Sequence, residues 1–196
     1  MDISFKGFTN TSSIADQQVG KSCWLESVEN IIQLDNQQDN SFSERIHKEL
    51  ASNHVPWYDP IERKIIQAPN NSHILIMMQL LQKYDLPSDW YYFDHMHLQN
   101  MLHQNRGVII CGNVEFLDIY RYYYPGTNGA HAMVVSRIEK GSDGIPYYWG
   151  IDSNFPKGDC YWPLAQLEAY AMSYQHTNNP TMLITQRPLK WKYKVY

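Results

Sequence analysis

The chain has 196 residues, 16 basic and 20 acidic side chains, and a formal net charge of -4. Hydrophobic residues at 43% and aromatic residues at 14% supply enough apolar material for a folded core, which excludes a disordered chain. No basic excess marks a nucleic-acid binder, and the longest apolar runs, such as Val108–Cys111 and Ala132–Val135, are far too short to cross a bilayer.

Residues 1–16 are polar and mixed and read as an arm leading into one domain that fills the chain. The first twenty residues hold no apolar stretch of the signal-peptide kind. From Ser22 to Leu34 the apolar residues Trp24, Leu25, Val28, Ile31 and Ile32 recur at helical spacing. Glu26 and Glu29 sit in the half of that helix where the backbone dipole is positive. Residues 35–41 are polar and read as a loop, and Ser43–Ala51 reads as a short helix with Ser43 in the capping position. Pro56, Pro60 and Pro69 make 52–70 mostly loop. Ser72–Tyr84 is a second strong helix, stopped before Pro87, and His95–Gln104 is a third, stopped near Gly107. The pattern then turns β-branched. Gly107–Asn113, Ala132–Ile138 and Tyr147–Asp152 read as strands, the last two joined by a turn at 141–144. Pro163–Tyr174 reads as a helix with Leu164, Leu167 and Ala171 on one face, and Thr181–Thr185 and Trp191–Tyr196 as late strands. Helices followed by a mostly antiparallel sheet predict an α+β fold with a cleft between a helical and a sheet part.

The residues with chemical potential are spread along this plan. Cys23 opens the first helix behind Gly20-Lys21-Ser22, where the helix N-terminus and a lysine favour a thiolate. A glutamine just upstream, Gln17 or Gln18, has an amide that can donate to an oxyanion beside the Cys23 N–H. Taken alone, a cysteine there is better explained as a small buried residue of an amphipathic helix, and it is the surrounding motif that favours the nucleophile. His131 heads an apolar strand in Gly129-Ala130-His131-Ala132, where a rigid strand holds the imidazole at a cleft edge. If the two strands around 141–144 form a hairpin, its far end returns Asp152 to His131, where a carboxylate fixes the tautomer and stabilises imidazolium. Asp152-Ser153-Asn154 also suits an Asx turn that simply ends a strand. Asp94, His95, His97 and His103 lack metal-ligand spacing and read as a polar helix surface. Tyr120–Tyr124 reads as an aromatic cluster in a loop, either lining a substrate groove or packing at the core edge. Cys111 and Cys160 read as packing residues, and the three widely spaced cysteines argue against a disulfide scaffold and fit a reducing compartment. The basic-aromatic alternation of 190–196 reads as an edge strand.

Cys23-Trp24 behind a glutamine, then Ala130-His131-Ala132, then Ile151-Asp152-Ser153-Asn154-Phe155, in that order, resembles the papain-like cysteine peptidases. The likeness is greatest to compact bacterial branches, the bacteriocin-processing peptidases and the effector proteases of the YopT-like kind. Asp152-Ser153-Asn154-Phe155 resembles their Asp-Pro-Asn-Phe string with Ser in place of Pro. The resemblance implies a papain-like fold in which Cys23 is nucleophile, His131 the base and Asp152 the third member, with Asn154 as its rival. Gln17 stands at the papain spacing and Gln18 one residue closer, as in some compact relatives. The family reading further implies Trp24 packed beneath the site, no cofactor and no metal, and a monomer acting on a protein or peptide substrate. It places the protein in the cytoplasm, or in a host cell reached without a Sec signal. Glutamine deamidation, transglutamination and removal of ubiquitin-like tags run on the same machinery. A catalytically inert binding module on the same fold is the non-enzyme alternative.

Overall fold

Alternating strands send successive apolar residues to opposite faces of one sheet, and helices cover each face. The computed structural model describes residues 23–36, 48, 58–59, 64–65, 72–127, 129–155, 160–175 and 179–190. In chain order these form α1 (Cys23–Asn36), β1 (Tyr58–Asp59), β2 (Lys64–Ile65), α2 (Ser72–Lys83), β3 (Ser88–Tyr91), α3 (His95–His103) and β4 (Arg106–Asn113). A 3-10 turn (Val114–Phe116), α4 (Asp118–Tyr123), β5 (Ala130–Lys140), β6 (Pro146–Ile151), β7 (Cys160–Pro163), α5 (Leu164–Gln175) and β8 (Met182–Pro188) follow. The six larger strands lie in the order β3-β8-β4-β5-β6-β7, with every neighbouring pair antiparallel, while β1 and β2 pair with each other. This is an α+β architecture with an open sheet.

On one face Leu25, Val28 and Ile32 of α1 and Met77 and Leu81 of α2 meet Ile109, Val134 and Leu183. On the other, Leu98 of α3, Tyr120 of α4 and Tyr170 of α5 meet Ile110, Met133, Val135 and Ile184. The Ile109–Ile110 and Val134–Val135 pairs thus serve one core each. Every such aliphatic side chain stabilises the fold by about 1.5–3 kcal/mol on full burial.

Several expectations are corrected here. The helices are not gathered on one side of a cleft, because each sheet face is apolar and needs its own cover. The first half of the chain also supplies β3, which pairs with β8 at the sheet edge. Residues 118–123 are helical rather than loop, and β1 and β2 interrupt the loop expected over 52–70. The helix expected from Pro163 starts at Leu164, because Cys160–Pro163 is already the edge strand β7. The arm at 1–16, the tail strand at 191–196 and, Lys48 aside, the helix at 43–51 lie outside the described residues.

Helix α1 is buried on its polar face as well: Glu26, Glu29, Asn30, Gln33 and Asp35 join its apolar residues inside. Asp35 pins the C-terminal end. Arg187 Nη1 and Nη2 donate to its two carboxylate oxygens at 2.9 and 2.8 Å, and the Lys190 backbone N–H donates at 2.8 Å. Burial alone would raise this carboxyl's pKa, but the Arg187 and Lys190 contacts outweigh it and hold it below the usual range.

Candidate active site

The hairpin β5–β6 sets the geometry. Val134 pairs with Ile151, so Asp152, one residue further, stands level with Met133. His131 lies two residues from Met133 on the same strand face, a diagonal neighbour within side-chain reach. The hydrogen bond this predicts is present: His131 Nε2 and Asp152 Oδ1 are 2.9 Å apart, with His131 5% and Asp152 0% exposed. A β-bulge between Val135 and Arg137 takes up the extra length of the hairpin, and Ser136 Oγ donates to the Trp149 carbonyl there. The Asx turn coexists with the imidazole contact, since Asp152 Oδ1 also accepts from the Asn154 backbone N–H at 2.9 Å.

Cys23 is half-buried at the first position of α1, which packs on β5 and β4. Its thiol lies near enough to His131 to act on the imidazole's pKa. Nε2 is already engaged, so Nδ1 is the ring nitrogen left to meet sulfur. Burial works against a charge on His131, yet the Asp152 charge and hydrogen bond, with smaller contributions from Cys23, push its pKa up to about 10. Tyr170 Oη donates to the His131 carbonyl at 2.6 Å and fixes the strand from behind.

Two residues complete the cluster. Tyr120 Oη lies 3.0 Å from His131 Nε2 and 2.8 Å from Asp152 Oδ2. Asn154 Nδ2 donates to that hydroxyl at 2.7 Å, so the Asn154 side chain connects to His131 through Tyr120, while Asp152 touches the imidazole directly. The Phe155 ring stands edge-on to Tyr120 at 5.3 Å between centroids. Tyr120 was legible only as one member of an aromatic run. The signal that singles it out is Leu117 three residues earlier, which shares its buried helical face, while Tyr122 and Tyr123 are exposed.

Gln17 and Gln18 lie outside the described residues. Trp24 is buried in the core against which Cys23 packs. Cys160 is buried, and Cys111 is half-buried with its thiol pushed up in pKa, first by burial and then by Cys23. Asp94 caps α3 by accepting from the His97 N–H at 2.6 Å, and the His95 and His97 rings pack on different tyrosines, Tyr148 and Tyr91. Among the described residues no group of three or more His, Cys, Asp or Glu is placed to hold a metal ion, and no helix is long and apolar enough to cross a membrane. In comparisons with known proteins, no family model and no curated protein matches the chain.

Proposed function

We propose that the chain is a thiol hydrolase of papain-like type that cleaves amide bonds of protein or peptide substrates. The observation that supports this reading is the convergence of Cys23, His131 and Asp152 from separate stretches of chain: His131 and Asp152 are hydrogen-bonded, and Cys23 lies close enough to act on the imidazole. The thiol is half-buried at the open end of that arrangement and the carboxylate is sealed at the other. In the reaction the Cys23 thiolate attacks the substrate carbonyl carbon, forming a C–S bond and an oxyanion. By the family resemblance the Cys23 backbone N–H and the side chain of Gln17 or Gln18 donate to that oxyanion. His131 gives its Nδ1 proton to the departing amine as the C–N bond breaks. It then takes a proton from water, which attacks the thioester and frees the acid and the thiolate. Asp152 keeps the imidazole in register throughout.

The test is incubation of the wild-type protein and of Cys23→Ala with a peptide library from a digested proteome, read by mass spectrometry. New peptide termini that appear with the wild type alone support the reading. Conversion of glutamine amides to acids without chain cleavage would move the site to side-chain chemistry. No product, together with Cys23 alkylation that His131→Ala leaves unchanged, would overturn it in favour of an inert module.

A further inference from the structure

The hydroxyl of Tyr120 touches His131 and Asp152 at once, and none of the roles assigned above uses it. Its hydrogens can be placed by elimination. The Asn154 Nδ2 has only protons to offer, so Tyr120 Oη accepts there, at 2.7 Å. The carboxylate has only lone pairs, so the phenol proton goes to Asp152, 2.8 Å away at Oδ2. That proton stays in place, because burial and then the Asp152 charge raise the phenol pKa far above its ordinary range. The remaining lone pair of Oη faces His131 Nε2 at 3.0 Å. Nε2 therefore meets two acceptors, Asp152 Oδ1 and Tyr120 Oη, and must carry the ring proton, which leaves Nδ1 to Cys23.

We propose that Tyr120 is a positioning residue of the site: its hydroxyl, braced by Asn154, shares the Asp152 carboxylate with His131 and fixes which imidazole nitrogen faces Cys23. The inference rests on the thiol-hydrolase reading. Other titratable groups around the cluster are Cys23 on α1, Cys111 on β4, Cys160 on β7 and Tyr170 on α5. The phenol proton draws part of the carboxylate's charge away from the imidazole. Removing the hydroxyl takes a neutral acceptor from Nε2–H but returns the full carboxylate charge to His131, and the charged partner outweighs the neutral one, so the imidazolium persists to higher pH.

The experiment follows the rate of Cys23 carboxymethylation by iodoacetate against pH, read on the Cys23 peptide by mass spectrometry. Sulfur displaces iodide, and the reagent's carboxylate is drawn in by imidazolium, so the rate falls when His131 loses its proton. Wild type, His131→Ala, Tyr120→Phe and Asn154→Ala are compared. Tyr120→Phe keeps the ring against Phe155, and its basic limb is expected to move up by about 0.5–1 pH unit. Asn154→Ala, which weakens the phenol as a donor, is expected to move it less in the same direction, and carries the test if Tyr120→Phe does not fold. A wild-type limb that depends on His131, with variant limbs unmoved or lowered, overturns the role of Tyr120 alone. A wild-type rate that simply rises with pH, as in His131→Ala, overturns the thiol-hydrolase reading and this proposal with it.

Discussion

Replacing Asp152 by Asn removes the charge behind His131. Asparagine keeps an acceptor for His131 Nε2–H and for the Asn154 N–H, while its amide takes from the Tyr120 hydroxyl the acceptor that Oδ2 supplies. Burial alone drives the His131 pKa down; Asp152, by charge and by hydrogen bond, is the largest influence driving it up, to about 10. Without that carboxylate the pKa is expected to drop by at least ~3 pH units, to the ordinary histidine value or below. Stability follows. A raised folded-state pKa gives stability that is present in full below the unfolded value of 6.5 and is lost as pH rises through about 10. At about 1.4 kcal/mol per pH unit, the wild type sheds roughly 3 kcal/mol of this contribution between pH ~6.5 and pH ~9. Asp152→Asn sheds none, and with a pKa below the unfolded value its contribution rises through that range instead. Urea unfolding of both proteins near the two pH values isolates the effect of His131 and its partner Cys23, because groups remote from the site cancel in the difference. The stability gap is expected to narrow by about 3 kcal/mol towards alkaline pH. A gap that stays constant with pH would refute the reasoning, and histidine-ring NMR of the two proteins would show which pKa failed to move.

Two further expectations concern the frame. At Gly112, which pairs with His131, a Cβ would stand 2.2 Å from the Tyr170 carbonyl oxygen, a backbone atom that cannot swing aside. Gly112→Ala must displace α5, so it is expected to cost about 1–3 kcal/mol in urea unfolding and, through the Tyr170 hydroxyl, to slow iodoacetate labelling of Cys23. Arg187→Met leaves the buried Asp35 carboxylate with the Lys190 N–H and, 3.8 Å away, the Lys190 ammonium, at an expected cost of about 2 kcal/mol near neutral pH. The Asp35 pKa is lowered by folding, so its contribution holds above the ordinary value of 3.8 and is lost as pH falls through the folded one. The Arg187→Met deficit should therefore close in acid, which unfolding curves at descending pH would check.

What could be read from sequence follows the range of the interactions involved. Trp24, Leu25, Val28, Ile31 and Ile32 announce α1 because helical phase is local. The nearness of His131 to Asp152 is legible for the same reason: two strands and a short turn fix a register, and the register fixes the diagonal pair. The edge strand β3 is different. Its partner β8 lies almost a hundred residues later, and nothing in Ser88–Tyr91 encodes that choice. Glu26 and Glu29 read as complements to the helix dipole, and nothing local in the sequence announces that both are buried. Tyr120 was hidden by its neighbours: a run of tyrosines is aromatic at every phase, so only the helix reveals which ring turns inward.

The distribution of polarity around the site supports the proposed thiol hydrolase over the inert binder. Placing an imidazole, a carboxylate and a phenol in the interior costs several kcal/mol unless each atom is paired, and apolar residues of equal volume would stabilise the fold at least as well. Here the pairing is closed on one side: Asp152 meets His131, Tyr120 and the Asn154 N–H, and Tyr120 meets Asn154. On the other side the network ends in a half-buried sulfur. A network built for stability would have no reason to finish in a half-buried thiol, and a binding surface would have no use for a carboxylate sealed beneath a histidine. Acyl transfer requires both features together: a fixed imidazole whose charge is sustained from behind, and a nucleophile within its reach that a substrate can approach.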